Sequence, residues 1–365
     1  MNILPSPLLL LGVGGAGAAM LRGVLRAYGP DIRALAIDTD AQAGGNGDIP
    51  FLLLGGNRLA GRGTGGQAAH ARAAFLDTPS ILDTSLDGVR TVVIVTALGG
   101  GTGGGATGEI LKHLHTRGIA TLVFATTPFT FEGAERVRAA RAAIGPIEQH
   151  ADVSVFLPLD ELVGKAGTDN MRDALARGMD TLSLGVTLLW RLLERPGYIQ
   201  LDSERLRAIL VGCGRAHFAT ATAQGPDRAD AVLAALSESP LLKRDESAAH
   251  VRSILVGVLA GDDLLLSEVA TIASGLSAAF GLGAPLELGT VNDEATFSGR
   301  LTVVVLVFDE SATAVRKPSS GTARGPPRER ALVRNDRFRH SDATMWNDED
   351  LDTPTYIRRH LTLDR

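Results

Sequence analysis

The chain has 365 residues, of which 45% are hydrophobic and only 4% aromatic, so we expect a large buried core built mostly from Ala, Leu and Val. Its net charge of −5 argues against a general nucleic-acid-binding protein, and a single cysteine, Cys213, excludes an internal disulfide and a cysteine-based metal site. No run of 18 apolar residues predicts a membrane span, and the N-terminal apolar run lacks the basic flank of a signal peptide, so we expect it to form a strand.

Short apolar runs alternate with helical patterns through the first half of the chain. Such alternation is typical of an α/β layer with a parallel sheet. A long helix is predicted over residues 170–194, because Arg195, Pro196 and Gly197 follow as a stop signal. Before it, the predicted strands are 8–12, 33–38, 91–96, 119–126 and 154–157, and the predicted helices are 16–28, 105–117 and 132–150.

Further strand-like runs after the long helix indicate a second, α+β domain. The predicted strands there are 206–213, 253–260, 286–291 and 300–308, and the predicted helices are 227–236 and 266–280. The expected organisation is an α/β domain over 1–169, a central helix over 170–197 and an α+β domain over 198–310.

The composition changes near Ser311. Residues 311–347 hold eight Lys and Arg against three Asp and Glu, a net charge of +5, and are rich in Pro, Ser and Gly. We predict a disordered linker, because this segment cannot bury enough apolar surface to offset the entropy of ordering. Residues 348–365 combine acids, an aromatic residue and paired arginines, which fits a short binding motif and equally an ordinary polar tail.

The first glycine-rich loop, GVGGAG over residues 12–17, fits the pattern G-x-G-x-x-G between a strand and a helix. Asp38 ends the next strand, at the spacing of a dinucleotide-binding fingerprint. Glycines let backbone N–H groups approach a phosphate, and the helix N-terminus attracts its charge. Alone the motif is weak, because strand–helix turns also use glycine for packing.

A second glycine-rich loop, LGGGTGGGATG over residues 98–108, also follows a buried strand and precedes a helix. A dehydrogenase needs one such loop for its pyrophosphate, whereas two in one sheet indicate a longer phosphate chain, as in a nucleoside triphosphate. Neither loop has the lysine of the G-x-x-x-x-G-K-[ST] motif. We therefore predict a triphosphate site made of backbone amides, helix dipoles and Thr102, with Mg²⁺ alongside.

Several motifs, in order along the chain, resemble the tubulin/FtsZ family. LGGGTGGGATG resembles the signature GGGTG[ST]G, and GVGGAGAAM and AIDTDAQA resemble the first phosphate loop of FtsZ and the strand and turn after it. TTPFTFEGAERVR resembles a segment that contacts ribose, and ERPGYIQLDSERLRAIL resembles a loop that reaches the neighbouring subunit. LDTPTYIRR, from Leu351 to Arg359, is similar to the C-terminal peptide by which FtsZ docks membrane adaptors.

The resemblance implies a tubulin/FtsZ-type fold with a Rossmann-like nucleotide-binding domain, a long central helix, a second α+β domain, and a disordered linker before an adaptor-binding peptide over 348–365. It also implies a cytoplasmic GTPase that polymerises with itself at the mid-cell division site, meets the membrane only through adaptors and binds no nucleic acid. GTP or GDP is the expected ligand, with Mg²⁺, and no metal ligand from the chain itself is predicted. The residues expected to hold the nucleotide are Gly14, Gly15, Ala16, Gly17, Ala18, Ala19, Gly99, Gly100, Gly101, Thr102, Gly103, Gly104, Gly105, Glu132, Arg136, Met179 and Asp180.

In this family the nucleotide lies between two stacked subunits, and the second subunit inserts a loop with the pattern N-x-D-x-x-D. The corresponding loop here supplies the expected catalytic residues Gln200, Asp202, Glu204 and Arg205. Arg205 stands where the pattern has its last acid, and a guanidinium cannot accept a proton. Slow hydrolysis is therefore predicted, with Glu204 as a substitute acid or Arg205 as a cation toward the phosphates across the interface.

Base recognition also departs from the family pattern. Ala19 and Leu159 stand where FtsZ usually has asparagines, and the aspartate expected near Met179 is present as Asp180, one residue away. A buried guanine edge needs hydrogen-bond partners, so reduced guanine selectivity is predicted. Gly104 replaces the second hydroxyl residue of the signature, which removes a hydrogen bond to phosphate.

Three functions stay open from the sequence. The first is a polymerising GTPase that builds the division ring, supported by both glycine loops, Asp202 and the tail. The second is a non-hydrolysing FtsZ-like scaffold or regulator of filaments, favoured by Ala19, Leu159, Gly104 and Arg205. The third and most remote is an NAD-binding oxidoreductase, which the first loop and Asp38 support but which leaves the second loop unexplained.

Overall fold

A computed structural model describes residues 7–28, 32–45, 47–162, 170–194, 197–242, 251–280 and 284–309, and the dipeptides 345–346 and 349–350. The strands of the main sheet are β1 (Leu8–Val13), β2 (Ala34–Asp38), β3 (Phe51–Leu53), β4 (Thr91–Ala97), β5 (Ala120–Thr127), β6 (Val153–Pro158), β7 (Gly214–Gln224), β8 (Val251–Ala260), β9 (Leu286–Asn292) and β10 (Arg300–Asp309). The helices are α1 (Gly14–Tyr28), α2 (Gly56–Leu59), α3 (Ala68–Asp77), α4 (Gly101–Thr116), α5 (Ala134–His150), α6 (Leu159–Leu162), α7 (Met171–Glu194), α8 (Ser203–Leu210), α9 (Arg228–Glu238), α10 (Leu266–Phe280) and α11 (Glu294–Phe297).

One sheet runs through the chain in the order β3-β2-β1-β4-β5-β6-β7-β10-β8-β9. β1 to β6 pair in parallel, as the alternation of strands and helices predicted. Strands of a parallel sheet are covered on both faces and therefore read as continuous apolar runs, and all six residues of β1 (LLLLGV) are buried. β6 pairs in parallel with β7, and β10 pairs antiparallel with β7 and β8, so the sheet continues into a mixed second half. The predicted α/β architecture with a second α+β part is confirmed.

Helices cover both faces of the parallel half of the sheet. Leu21 of α1 and Leu182 and Val186 of α7 belong to one buried apolar cluster, and Ile110 of α4 and Ile147 of α5 belong to the cluster on the other face. A third cluster packs α9 and α10 against the second half of the sheet. The long helix predicted over 170–194 is α7, which packs its apolar stripe against this core.

The strand predicted over residues 206–213 is wrong, because α8 occupies most of that segment. Leu206, Ile209 and Leu210 are buried at helical spacing, and the Asp202 carboxylate caps the helix by accepting a hydrogen bond from the Arg205 amide. A short apolar run fits a strand and a helix equally well, and the cap decides between them. β3, β7 and α3 were not predicted. In β7 (GRAHFATATAQ), Phe218 is the one large apolar side chain among small and polar residues, so the strand lacks the continuous apolar run that marks a buried strand.

The C-terminal part of the chain is described only over four residues. Met345–Trp346 pairs antiparallel with Glu349–Asp350, across the predicted boundary between linker and tail. The rest of the predicted linker and the peptide from Leu351 to Arg359 lie outside the described residues. The predicted domain boundaries, 1–169, 170–197, 198–310, 311–347 and 348–365, stay predictions. Within the ranges that the structure describes, no helix is both long and apolar enough to span a bilayer.

Candidate functional site

The two glycine loops lie next to each other at the carboxyl edge of the parallel strands. β1 and β4 are neighbours, with Val13 opposite Thr96; α1 begins directly after β1 at Gly14, and α4 begins at Gly101, after three intervening residues that follow β4. The first N–H groups of a helix have no partner within the helix, and the helix dipole adds positive potential there. Two helix N-termini therefore meet at the ends of adjacent strands, in an arrangement suited to anions.

Glycine is required where the two loops pack closely against β4 and against each other. A Cβ added at Gly17 would lie 2.6 Å from the carbonyl oxygen of Val95, and one added at Gly103 would lie 2.3 Å from the carbonyl oxygen of Ala97, both in β4. Gly14 has a φ of +80°, and its Cβ would lie 3.1 Å from the amide nitrogen of Gly103 in the other loop. Larger residues at these positions would push the helix N-termini away from β4 and from each other.

Other loop positions are open. Gly15 and Ala16 are exposed in the first turn of α1, and nothing lies within 4 Å of a Cβ built at Gly100. Backbone amides at such open positions are the ones that a phosphate can approach. This open region is the part of the predicted phosphate site that the geometry supports directly.

Three of the predicted nucleotide residues lie away from this open region. Ala18 is fully buried, and a Cβ at Gly105 would lie 2.0 Å from a carbonyl oxygen of α3. The Gly104 amide already donates a hydrogen bond to the Gly100 carbonyl, at 3.3 Å. Phosphate binding by these three residues stays a prediction.

Oxygen atoms from the end of β2 lie beside the loops. The hydroxyls of Thr39 and Thr102 are 2.8 Å apart, and the Asp38 carboxylate accepts a hydrogen bond from the Thr39 amide at 2.6 Å. Asp38 is buried, and its Oδ2 would lie 3.4 Å from a Cβ at Gly15. Carboxylate and Thr hydroxyl oxygens beside a phosphate cradle are ligands that suit Mg²⁺. Thr39 was not predicted, although it directly follows a strand that neighbours β1.

A pocket of about 190 Å³ adjoins the first turn of α1. Ala16, Leu159 and Met179 contribute to its mostly apolar wall, and Glu132 and Arg136 supply charge at its edge. Its size and apolar walls fit a flat ring with polar contacts at the rim. The predicted residues Glu132, Arg136 and Met179 therefore meet at one pocket next to the glycine loops.

Thr126, which sequence reasoning missed, is a polar residue in the wall of this pocket. It lies in β5, lines the pocket and is 1% exposed, and within the described structure its hydroxyl has no hydrogen-bond partner. A buried unpaired hydroxyl costs about 1–3 kcal/mol, which a ligand that bonds to it recovers. Asp180 and Ala19 are exposed and do not line the pocket.

Glu132 and Arg136 form an ion pair one helical turn apart. Arg136 Nη1 lies 2.7 Å from Glu132 Oε2, while Glu132 Oε1 accepts a hydrogen bond from the Phe129 amide at 2.9 Å. Phe129 in turn stacks on Phe131, with ring centroids 4.8 Å apart. The carboxylate is thus fixed by two contacts at the rim of the pocket.

The predicted catalytic residues lie on the segment before α8 and in its first turn. Gln200, Asp202 and Glu204 are exposed, and Asp202 Oδ2 accepts a hydrogen bond from the Arg205 amide at 3.3 Å. The Arg205 guanidinium contacts the carboxylate of Glu287, on β9. The hydrogen bond that the Arg205 guanidinium donates to Glu287, together with the negative charge of Glu287, raises the pKa of Arg205 above its usual value. Glu287 was not predicted, because nothing in the sequence links β9 to this loop.

The predicted catalytic loop and the glycine loops lie at opposite ends of the same strands. Arg207 of α8 donates a hydrogen bond of 2.9 Å to the carbonyl of Gly118, just before β5. A small cavity beside Glu204 and Arg207 is also lined by Pro7 and Arg90, which precede β1 and β4. The glycine loops follow the carboxyl ends of β1 and β4, and a strand of six residues spans about 20 Å. The two halves of the predicted site therefore do not meet within one chain.

Comparison with known proteins agrees with this geometry. Residues 7–167 match the Tubulin/FtsZ family, GTPase domain, and residues 214–309 match the FtsZ family, C-terminal domain. A cell division protein FtsZ from Pseudomonas putida is 32% identical over 295 residues, which cover 80% of this chain and 74% of that protein. The chain belongs to the FtsZ family. The FtsZ of Pseudomonas aeruginosa is 30% identical over 353 residues, which cover 96% of this chain and 88% of that protein.

Solved structures of FtsZ and its relatives share the fold. An empty FtsZ dimer from M. jannaschii has a TM-score of 0.74 at 23% identity and covers 82% of this chain and 87% of its own. A GTPγS-bound protofilament of CetZ2 from Haloferax volcanii has a TM-score of 0.66 at 21% identity, with coverages of 84% and 95%. The predicted tubulin/FtsZ-type fold is confirmed, and the oxidoreductase alternative is wrong. FtsZ-family proteins are GTPases that polymerise and form the division ring.

Proposed function

We propose that this chain binds GTP and GDP at its glycine loops, polymerises head to tail, and hydrolyses GTP slowly across the contact between subunits at mid-cell. The observation that carries the proposal is the separation of the two half-sites by the length of β1 and β4. Stacking one subunit on the next brings the α8 end of one chain to the glycine loops of the other. A site split in this way is completed by assembly alone.

The backbone of the glycine loops provides the contacts for phosphates. Amides at Gly15, Ala16 and Gly100 are open to a ligand, and the N-termini of α1 and α4 add positive potential. Mg²⁺, when bound with the triphosphate, supplies further neutralisation of charge, and Asp38, with Thr102, has the oxygen atoms that would hold it. These contacts require no side-chain cation from the same chain.

The pocket beside α1 accommodates the base and ribose. Glu132 and Arg136 lie at its rim, on the side of the ribose, and the Thr126 hydroxyl is free to bond to the ligand. Leu159 and Met179 give the base an apolar surface without donors or acceptors. This supports binding through phosphates and ribose with reduced selectivity for guanine.

Slow hydrolysis follows from the chemistry of the catalytic loop. A general base or a group that orients water needs an acceptor atom, and Arg205 has none. The Asp202 carboxylate is partly used as the cap of α8, which leaves Glu204 as the other exposed acid nearby. The loop therefore retains acids but lacks one where the family pattern places its last acid.

The test is GTP turnover measured together with sedimentation of polymer, for the wild type and Arg205→Asp. We expect the wild type to polymerise with slow turnover, and the aspartate to raise turnover per sedimented subunit at least about tenfold by restoring an acceptor, even where less of that variant sediments. Arg141→Asp, an equivalent charge change on the exposed face of α5, is the matched control. If the wild type polymerised and hydrolysed GTP rapidly, the proposal that Arg205 slows hydrolysis would be contradicted.

A non-hydrolysing filament scaffold is the second candidate, favoured by the pairing of Arg205 with Glu287. In that case neither the wild type nor Arg205→Asp would hydrolyse GTP, and the wild type would sediment only with filaments of another FtsZ.

For either candidate, we propose that residues 348–365 dock membrane adaptors, so the protein meets the membrane indirectly. The similarity of LDTPTYIRR to the adaptor-docking peptide supports this assignment.

A further inference from the structure

Arg205 and Glu287 form an ion pair whose two members differ in exposure. The Arg205 side chain is 60% exposed and that of Glu287 is 18% exposed, so the guanidinium is outermost and the carboxylate lies behind it. Arginine has five N–H donors, and the contact with Glu287 involves one nitrogen, Nη2. Donors on the other nitrogens remain available to a group that meets this surface.

The backbone that carries Arg205 is fixed to the same strand as Glu287. The Gly197 amide donates to the Thr290 carbonyl at 2.7 Å, the Thr290 amide donates to the Ile199 carbonyl at 2.9 Å, and the Ile199 amide donates to the Thr290 hydroxyl at 2.9 Å. β9 is the last strand of the sheet, so these bonds extend its edge with the segment before α8. β9 thus holds the segment that leads into α8 through its backbone, and it holds the Arg205 guanidinium through Glu287.

The phosphate cradle has little positive charge of its own. Neither 12–17 nor 98–108 contains Lys or Arg, and the nearby Arg136 is paired with Glu132. A helix N-terminus supplies about half an elementary charge, so α1 and α4 together supply about one, and even with a bound Mg²⁺ this is less than a triphosphate carries. Arginine is the side chain best suited to bidentate contact with phosphate.

From these observations we infer that Arg205 of one subunit binds the terminal phosphates of the nucleotide held by the next subunit, and that Glu287 is the positioning residue that holds its guanidinium for this contact. The inference rests on the proposed head-to-tail assembly. In this assignment, assembly prefers GTP to GDP because Arg205, at the end of the subunit opposite the glycine loops, contacts the terminal phosphate bound by the neighbour. An ion pair that served only the fold would contribute little at this exposure.

The experiment compares four full-length proteins: wild type, Arg205→Ala, Glu287→Gln and the charge-swapped double variant Arg205→Glu/Glu287→Arg. For each, the critical concentration for sedimentation is measured with GDP and with a slowly hydrolysed GTP analogue. Affinity of the monomer for a fluorescent GTP analogue is measured separately, well below the critical concentration. Thermal unfolding checks that each variant is folded.

We expect all four monomers to bind nucleotide equally, because the changed residues belong to the other half-site. Arg205→Ala raises the critical concentration with the triphosphate about tenfold and removes most of the difference between triphosphate and diphosphate. Glu287→Gln raises the critical concentration with the triphosphate by a smaller factor, about threefold, because the guanidinium is present but less well held. The swapped variant restores the ion pair and the folding stability but behaves like Arg205→Ala in assembly.

Two results would overturn the inference. If the swapped variant polymerised like the wild type with the same preference for triphosphate, the pair would be structural alone. If Arg205→Ala kept that preference, another group would read the phosphates. Failure of the proposed function looks different, since the wild type itself would bind nucleotide and not sediment, and the assignment of Arg205 would fall with it.

Discussion

At the level of single residues, the hydroxyl of Thr126 is expected to affect ligand binding and folding stability in opposite ways. It is buried at the pocket and lacks a partner in the described structure, and Thr220 of β7 has a buried hydroxyl in the same condition away from the glycine loops. Replacing an unpaired buried hydroxyl with a methyl group removes a desolvation penalty. Only at the pocket does the same replacement also remove a ligand contact.

Thr126→Val is therefore expected to change stability and binding in opposite directions. The free energy of unfolding of the free protein should rise by about 1 kcal/mol, while affinity for a fluorescent GTP analogue falls about fivefold. Urea unfolding and nucleotide titration measure the two effects. Thr220→Val is the matched control and should change the free energy of unfolding alone, and a loss of affinity there would mean that the effect is not local to the pocket.

The sequence predicted the members of the site more readily than their arrangement. The glycine loops, Glu132 and Arg136 lie in contiguous motifs, and contiguous motifs are visible in one sequence. Thr126 and Glu287 are single residues whose surroundings come from distant segments, so no local pattern marks them. The pairing of Arg205 with Glu287, on β9, is a tertiary contact across 82 positions of the chain.

At the level of elements, α4 uses its glycines for two different purposes. A Cβ at Gly105 would lie 2.0 Å from a backbone oxygen of α3, while a Cβ at Gly104 would lie 3.6 Å from the Ala143 side chain, an ordinary contact distance. Gly105 thus permits the close approach of α3 and α4. Gly104 makes no contact that requires glycine, and its backbone loses more conformational entropy on folding than that of alanine.

Gly104→Ala should accordingly stabilise the protein by roughly 0.5–1 kcal/mol, whereas Gly105→Ala should destabilise it by about 1–3 kcal/mol. Chemical denaturation of the two variants gives the comparison directly. Nucleotide affinity of Gly104→Ala should equal that of the wild type, because its amide donates to the Gly100 carbonyl within α4. Weaker binding by this variant would restore Gly104 to the phosphate site.

The contact between α9 and α10 depends on a buried ion pair with a defined response to pH. Arg228 and Glu268 have side chains 5% and 8% exposed, with Arg228 Nε 2.6 Å from Glu268 Oε1. The hydrogen bond from Arg228 lowers the pKa of Glu268 below its usual 4.5. A carboxyl whose pKa is lower in the folded state stabilises the protein above its ordinary pKa, and this contribution disappears as pH falls through the folded-state value.

Glu268→Gln should cost about 3 kcal/mol at neutral pH, and the difference from the wild type should shrink as the pH is lowered below 4.5 and the wild-type carboxyl becomes protonated. Denaturant unfolding over a series of pH values measures this. Glu238→Gln, on the exposed face of α9, should show no such change. A difference that stays constant with pH would contradict the role of the Glu268 charge.

Strands with continuous runs of large apolar side chains were predictable from the sequence, whereas strands built mainly from small residues were missed. β1, β4 and β5 have long aliphatic runs because a parallel sheet is covered on both faces. β7 consists largely of Ala, Thr and Gly, and its pairing with β10 over nine residues, from Ala216 to Gln224, replaces the apolar signal. A short apolar run has no clear period, so the sequence predicts a strand where α8 lies, although Asp202 at its start is a helix cap.

At the level of the whole molecule, the predicted tail is expected to act independently of assembly. Removing residues 348–365 should leave polymer sedimentation unchanged and abolish recruitment of the protein to membranes in cells. The residues assigned to the two half-sites all come before the predicted linker in the sequence, which is the reason for expecting this separation. Recruitment retained by the truncated protein would contradict the assignment of the tail.

The placement of the two half-sites at opposite ends of β1 and β4 fixes how many working sites an assembly has. A free subunit has none, and a row of n subunits has n − 1, since one terminal subunit always keeps its nucleotide uncovered by a neighbour. Turnover per molecule therefore rises with filament length and approaches a plateau. The uncovered terminal nucleotide is the one that persists, so each filament carries a chemically distinct end that records its direction.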